Sequence, residues 1–250
     1  MKISITKNNV ITALAVVFLI VLWKAGSVII DSDLILPSPE ETILSVLEIF
    51  SESNFLNIIG ATVIRGLIGF AISFILALIM GVLAGVYDGF YAFLKPILVT
   101  IRSTPVISLI LLALIWFDVN QVPVFIALLT MFPFICTNII DGIRDVNTDL
   151  IEMAQVYEVK QKNIILDIYL PGIAPFIFSG ASSAMGFGWR AIIIGEVLSQ
   201  PQYGIGTYMQ NAQTYLLVDK VIAWTIIAIV LSYVFENLIR LVQKKIIVWR

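Results

Sequence analysis

Long apolar segments constrain this chain more than any other feature of its sequence. Several run for about 20 residues or more, the length that an α-helix needs to cross the hydrocarbon core of a bilayer. Of the 250 residues, 60% are hydrophobic and 13% are charged, whereas soluble domains carry about 25% charged residues. The sequence therefore predicts an all-α, polytopic membrane protein with about six transmembrane helices.

Polar turns and loops separate six predicted spans. The third span is interrupted at Lys95-Pro96 and again between Arg102 and Pro105, where a helix break is expected. A cleaved signal peptide is the alternative for the first apolar run. We favour an uncleaved span, because the apolar stretch continues past Lys24 and no clear small-x-small site follows it. The predicted spans are 10–30, 62–86, 90–117, 122–140, 174–198 and 221–239.

An acidic segment without Lys or Arg lies between the first two spans, at 31–57. Ser38 fits a helix N-cap, with Pro39 at the first helical position and Glu41 completing a capping box. An amphipathic helix through about Phe50 is expected there, on the membrane surface. We predict two domains. Residues 1–57 hold the N-terminal tail, the first transmembrane helix and this extracytoplasmic segment, and residues 58–250 form a transmembrane domain with a cytoplasmic loop at 141–171.

Basic residues lie mostly on one side of the predicted spans. The two terminal tails, the turn after the second span and the 141–171 loop together hold ten Lys and Arg, with Arg250 at the very end. The loops on the other side hold only Lys220. Since cytoplasmic loops carry the excess of Lys and Arg, both termini and the 141–171 loop are predicted to be cytoplasmic.

Several chemistries are excluded by residues that the chain lacks. It has no histidine, and its single cysteine, Cys136, lies inside an apolar run. Thiolate and imidazole metal sites and a disulfide framework are therefore not expected. No GxxxxGK[ST] phosphate loop and no GxSxG elbow is present, so neither ATP hydrolysis nor hydrolase chemistry is predicted. A net charge of −2 without a basic cluster argues against nucleic-acid binding.

Five of the ionisable residues that fall within or near the spans are candidates for a role there. Lys24 and Arg65 lie near span ends, where their head groups are expected to reach the membrane interface. The other three, Arg102, Arg190 and Glu196, are candidates for lining a translocation path that an anionic substrate could cross. The alternative is interhelical pairing that fixes the packing. Arg190 and Glu196 are six residues apart on different helix faces, so they are not expected to pair with each other.

The stretch 152–171, EMAQVYEVKQKNIILDIYLP, mixes charged and apolar residues between two spans. Its charges exclude it from the hydrocarbon core, while its apolar residues need a packing partner. Pro171 is expected to end whatever helix precedes it. The stretch predicts a docking site outside the bilayer, and the alternative is an amphipathic hairpin that packs on its own spans.

Its ends resemble a known motif. Glu152-Met153-Ala154, followed at matching spacing by Ile168-Tyr169-Leu170-Pro171, is similar to the EAA loop of binding-protein-dependent ABC importer permeases. The flanks resemble the nitrate/sulfonate/taurine-type permeases, and the resemblance runs from about Ile35 to the C-terminus. These flanking segments are Arg102 to Pro105, 112–117, Phe132-Pro133, Gly142 to Arg144, Gly188-Trp189, Gly195-Glu196 and Gly204 to Gly206.

The resemblance implies a MetI-like permease core in the cell membrane of a prokaryote. In the family this loop forms coupling helices that sit in a groove on a separate ATPase subunit. It also implies an extracytoplasmic solute-binding protein, a second permease copy and alternating access, with ATP used by the partner and no cofactor bound by this chain. The solute would be a nitrate-, sulfonate- or taurine-like anion, or a small heterocycle such as a thiamine precursor. The implied coupling residues are Glu152, Met153, Ala154, Glu158, Ile168, Leu170 and Pro171.

Two residues depart from the family pattern. Met153 replaces an alanine and, being bulkier, leaves less room for a close partner. Glu158 replaces a glycine that would allow a left-handed turn, and glutamate there would cost roughly 1 kcal/mol. We therefore expect the break in the loop to lie elsewhere, or the two short helices to run together.

Two other functional classes compete with a permease. An ion-driven secondary transporter is expected to show internal repeats and paired acidic residues in its spans, and the sequence shows neither. An intramembrane enzyme needs a catalytic constellation, and no histidine, Asp pair or nucleophile elbow supplies one. No catalytic residue is therefore predicted.

Overall fold

The computed structural model describes residues 2–246, and within them the chain is helical without strands. This confirms the predicted all-α class. Arg250, which counts toward the predicted orientation, lies outside the described residues. The helices are α1 (Lys2–Ile30), α2 (Pro39–Ser51), α3 (Phe55–Val86), α4 (Asp88–Ser103), α5 (Val106–Trp116), α6 (Val122–Arg144), α7 (Thr148–Val156), α8 (Gln161–Ile164), α9 (Leu170–Ser199), α10 (Ile205–Thr214) and α11 (Val218–Ile246).

Five described segments are long and apolar enough to cross a membrane, and a bent helix pair is a sixth. The five are Val10–Ile30, Phe55–Val86, Val122–Arg144, Gln161–Ser199 and Val218–Lys245. Their number agrees with the prediction of about six spans. Each helix extends beyond the predicted apolar run. The prediction was bounded by apolar residues alone, whereas helical hydrogen bonding continues into the flanking residues.

The bent pair consists of α4 and α5, which meet at an angle of 98°. α4 ends at Ser103, and Pro105, which lacks an amide hydrogen, precedes α5. The predicted break between Arg102 and Pro105 is confirmed. The predicted interruption at Lys95-Pro96 is wrong, because α4 runs through Pro96. One proline removes a single backbone hydrogen bond, and the helix on both sides of it is long enough to continue.

The chain divides into two compact units, of which the first comprises residues 1–56 and 208–227. The predicted capping box of α2 is confirmed, with Ser38 and Glu41 each bonding the other's backbone amide. The Lys24 ammonium lies 2.8 Å from the Glu40 carboxylate, and this hydrogen bond lowers the pKa of Glu40. At the far side of α2, the Ser45 hydroxyl donates to Asp219 at 2.5 Å. These contacts hold α2 between α1 and the start of α11.

The second unit comprises residues 57–207 and 228–250, and its core lies between α6 and α9. Small residues let these helices approach closely, as is common in membrane proteins. A Cβ atom at Gly188 would lie 1.9 Å from Met131, and one at Gly142 would lie 2.8 Å from Phe176. Trp189 is buried against this seam. The predicted functional division into residues 1–57 and 58–250 stays a prediction.

Candidate functional site

The predicted docking stretch begins with a short helix, α7. Asn147 caps it by accepting a hydrogen bond from the Asp149 amide at 2.8 Å, so Asp149 occupies the first turn where a carboxylate complements the helix dipole. Glu152 does not lie in this first turn. The local Asn–Thr–Asp sequence starts the helix at Thr148, and Glu152 lies mid-helix with its side chain exposed.

The turn after α7 is left-handed at Glu158, whose φ is 53°. The Val159 amide donates to the Ala154 carbonyl at 2.9 Å, and the Glu158 amide donates to the Gln155 carbonyl at 3.0 Å. This pair of bonds is the Schellman motif, which terminates helices and favours glycine at the position that Glu158 occupies. We expected the break in the loop to lie away from Glu158, or the two helices to run together, and this is wrong. The hydrogen bonds hold Glu158 in the left-handed conformation that glycine favours, despite its cost for glutamate.

After the turn, the chain continues into α9 without interruption. α8 passes into a π-helical turn, Ile165–Tyr169, and that turn passes directly into α9. The Leu170 amide donates to the Ile165 carbonyl, five residues back. The expectation that Pro171 ends the preceding helix is wrong. The wider π turn places the carbonyls of the preceding turn where they do not clash with the proline ring, so the helix continues to Ser199.

This helix–turn–helix, residues 148–170, displays exposed apolar side chains. Val156 is 81% exposed, Leu170 53% and Met153 52%. Ala154, by contrast, is buried within the chain, and Ile168 is half-buried. The predicted coupling residues thus lie together in one segment, but Ala154 points inward.

A buried ion pair lies at the opposite end of the same unit. Arg65 of α3 donates to the Glu196 carboxylate of α9 at 2.7 Å, and Glu196 is fully buried. Arg65 also donates to the Tyr203 carbonyl at 2.7 Å and to the Asn120 side chain at 2.8 Å. The expectation that Arg65 reaches the membrane interface is wrong, because the buried carboxylate requires a cation. As expected, Arg190 and Glu196 are not paired with each other.

The loop after α9 and the start of α10 close over this carboxylate. The Gly206 amide donates to Glu196 at 3.0 Å, and the Thr62 hydroxyl lies 3.0 Å from both carboxylate oxygens. A Cβ atom at Gly206 would lie 2.3 Å from the Ile193 carbonyl oxygen, and one at Gly204 would lie 2.6 Å from Glu196. The glycines therefore let the backbone approach the ion pair. The alternative of interhelical pairing is confirmed for Glu196. Sequence reasoning did not identify Arg65 as the partner, although an Arg and a Glu near the same ends of two spans are a usable signal.

The other two candidate path residues flank a pair of stacked rings. Phe134 of α6 and Phe187 of α9 stack at 4.8 Å with an interplanar angle of 3°. The Arg102 guanidinium lies 5.6 Å from the Phe134 ring centroid, and that of Arg190 lies 5.8 Å from the Phe187 centroid. Both arginines are exposed, and neither has an ion-pair partner among the described residues. Cation–π contacts orient both groups while leaving their N–H donors free.

The described residues contain no group of three or more His, Cys, Asp or Glu that could hold a metal ion. The site instead combines apolar spans, unpaired cations within them and an exposed helix–turn–helix at residues 148–170. Such an arrangement is that of a polytopic helical membrane protein with charged groups inside its spans.

The comparisons identify the family. Residues 74–248 match the family described as binding-protein-dependent transport system inner membrane component, and the chain belongs to it. It is therefore an ABC transporter permease, a class whose members are not enzymes and act together with ATPase and solute-binding subunits. The predicted resemblance is confirmed.

Individual relatives match over most of their length. A protein of Escherichia coli (strain K12) named as an aliphatic sulfonates transport permease is 32% identical, over 92% of this chain and 88% of the relative. A protein of Bacillus subtilis (strain 168) with the same name is 28% identical, over 93% and 84%. The taurine transport system permease protein of Escherichia coli (strain K12) is 23% identical, over 93% and 86%.

Proposed function

We propose that this chain is the permease of an ABC importer for a small anionic solute, and that its helix–turn–helix at residues 148–170 couples ATP hydrolysis to transport. The observation that carries the proposal is the exposed apolar surface of this segment, whose first helix, α7, lies outside the candidate spans. Exposed Val156, Leu170 and Met153 offer a partner surface that the chain itself does not cover.

The connection to α9 supports coupling. Helical structure is continuous from Gln161 to Ser199, so a displacement of the docking segment is transmitted along one continuous helix. That helix carries Arg190, and its far end carries Glu196. In the proposal, closure of the ATPase subunits tilts α9 and alternately opens the two ends of the path.

The partners of this chain follow from the functions that it does not supply itself. It has no phosphate loop, so ATP is bound and hydrolysed by two separate subunits, and this chain binds no cofactor. A second copy of the chain completes the path within the lipid bilayer of a prokaryotic cell membrane. An extracytoplasmic binding protein delivers the solute, and both termini and the 141–171 loop face the cytoplasm.

The exposed arginines support an anionic solute. Unpaired charges in a span are expected to face a cavity rather than lipid, which supports a role for Arg102 and Arg190 on the path. Relatives are named for transport of aliphatic sulfonates, taurine and bicarbonate. Glu196, the third candidate, serves the path in this proposal by holding the outer ends of α3 and α9 together through Arg65.

Charge reversal and side-chain removal in the docking segment test the coupling. Glu152→Arg places a positive charge against a groove that receives a carboxylate, which costs several kcal/mol if the site is desolvated. Leu170→Ala removes part of a side chain whose full burial is worth about 2 kcal/mol. Both variants are expected to reach the membrane in normal amounts, to retain less ATPase on affinity purification and to lose solute uptake.

Matched changes outside the segment serve as controls. Glu52→Arg reverses an exposed acidic residue, and Leu47→Ala removes a leucine that is 57% exposed in α2. Both controls are expected to retain ATPase and uptake. Full ATPase retention and full uptake in Glu152→Arg and Leu170→Ala would show that this segment is not the coupling element.

Cysteine labelling tests the proposed orientation. In a background without Cys136, which is buried, a cysteine at Lys160 is expected to react only with membrane-permeant thiol reagents. A cysteine at Glu48 is expected to react with impermeant reagents added outside the cell. Labelling of both positions from the same side contradicts the orientation.

A further inference from the structure

A polar cavity of about 470 Å³ lies between the beginning of α9 and the end of α11. It is formed within the second unit, at the end of α9 that joins the docking segment. Ligand pockets for small molecules are about 300–1,000 Å³, so the cavity has the size of a small solute or a lipid head group. It is lined by Pro175 and by the polar residues Ser179, Ser182, Ser183, Glu236, Arg240, Gln243 and Lys244.

The three serine hydroxyls are not used by the helix that carries them. Serine and threonine in a helix usually donate to a carbonyl one turn back, as Ser103 does to Val99 and Thr137 does to Pro133, both at 2.7 Å. Ser179, Ser182 and Ser183 make no hydrogen bond with the described residues. Three hydroxyl donors are therefore available on one wall of the cavity.

The opposite wall carries one positive charge in excess. Glu236 and Arg240 are paired with each other at 2.6 Å across one helical turn. Lys244 lies one turn further and has no ion-pair partner among the described residues. Hydroxyl donors facing an unpaired ammonium form a binding site for an oxyanion, since charge-assisted hydrogen bonds to such a group are the strong ones.

The cavity continues the face of α9 that carries Arg190. Residues 179, 183, 186 and 190 follow one another at spacings of three or four, which places them along one side of a helix. Gly186, between the serines and Arg190, would bring a Cβ atom within 3.9 Å of the Glu236 carboxylate. A polar track therefore runs along α9 from the arginine toward the docking segment.

We propose that this cavity is an oxyanion-binding site, in which Lys244 and the serine hydroxyls bind a sulfonate, carboxylate or phosphate group. The group belongs either to the transported solute or to an anionic lipid. Only the first source rests on the proposed function, since a solute that passes Arg190 would reach this cavity before release. The second source requires only that the cavity open toward lipid head groups.

Binding to the purified permease, without ATPase subunits, tests the site. The protein is placed in phosphatidylcholine nanodiscs, and ethanesulfonate is titrated by isothermal calorimetry. Lys244→Gln is expected to weaken binding at least about tenfold, as loss of a charge-assisted contact predicts. Lys245→Gln removes the same charge from the neighbouring residue, which does not line the cavity, and is expected to change binding less than about twofold. Ser182→Ala/Ser183→Ala keeps the charge and is also expected to weaken binding.

A second experiment, with an anionic lipid, distinguishes the two sources of the oxyanion. The same variants are reconstituted with phosphatidylglycerol, and the lipids retained by each are counted by native mass spectrometry. Loss of retained phosphatidylglycerol in Lys244→Gln, without ethanesulfonate binding in the unmodified protein, assigns the site to a lipid phosphate. If ethanesulfonate binds and phosphatidylglycerol does not block that binding, the site is assigned to the solute. If Lys244→Gln and Lys245→Gln behave alike with both probes, the proposal is overturned. Since no ATPase is present, a failure of the proposed coupling leaves these results unchanged.

Discussion

Replacing Glu158 by glycine is expected to stabilise the docking segment. The φ of 53° at Glu158 is a left-handed conformation that costs an L-residue about 1–2 kcal/mol. The side chain makes no hydrogen bond or ion pair with the described residues, so no contact is lost on its removal. Glycine loses about 0.5–1 kcal/mol more backbone freedom on folding. The net gain expected for Glu158→Gly is therefore about 0.5–1 kcal/mol.

Amide hydrogen exchange measures this gain where it arises. The Glu158 and Val159 amides close the Schellman motif onto Gln155 and Ala154, and their exchange reports local opening of the turn. A gain of about 0.5–1 kcal/mol slows exchange of the Val159 amide by about two- to fivefold. Temperature-dependent exchange in nanodiscs resolves a difference of that size.

The matched control makes the same change in the helix. Glu152→Gly replaces an exposed glutamate in the interior of α7, where glycine costs up to about 1 kcal/mol. It is expected to speed exchange across α7. If Glu158→Gly also speeds exchange, Glu158 does not occupy the left-handed conformation and the reasoning fails.

Three further outcomes follow from the packing. Glu196→Ala leaves the Arg65 charge buried without its carboxylate and is expected to cost about 3–5 kcal/mol in thermal unfolding; the double variant with Arg65→Ala should lose less than the sum of the two single losses. Gly206→Ala forces a Cβ atom into the backbone of α9 and should destabilise by about 1–3 kcal/mol, whereas Gly60→Ala, which meets open space, should not destabilise. Ser38→Ala removes a helix cap and should lower the local stability of α2 by about 1 kcal/mol; unchanged exchange there would contradict the capping role.

Features encoded by neighbouring residues were predicted well. The capping box at Ser38 and Glu41 needs partners only three residues apart, so the sequence alone specifies it. The break before Pro105 is likewise local, because a missing amide hydrogen acts on its own helix.

Local reasoning failed where the hydrogen bonds around a residue override its own preference. The cost of a left-handed glutamate argued against a turn at Glu158, yet two backbone hydrogen bonds place the turn there. Proline was expected to end a helix at Pro171, yet the π turn before it lets the helix continue. In both cases the residue's own preference does oppose the observed conformation. Its cost in free energy is smaller than the stabilisation that the surrounding structure supplies.

The sequence by itself determined that this is a helical membrane protein, because the transfer of each residue into hydrocarbon depends on that residue alone and sums along the chain. The permease family was indicated by a resemblance, which the spaced motifs at 152–154 and 168–171 carry. Only the tertiary structure decided that Arg65 pairs with Glu196, 131 residues away, and that Ala154 points inward while Leu170 is exposed. It also decided that three serines of α9 face Lys244 of α11 across a cavity. These facts depend on which helix faces pack together, and packing is a property of pairs of segments that no single segment encodes.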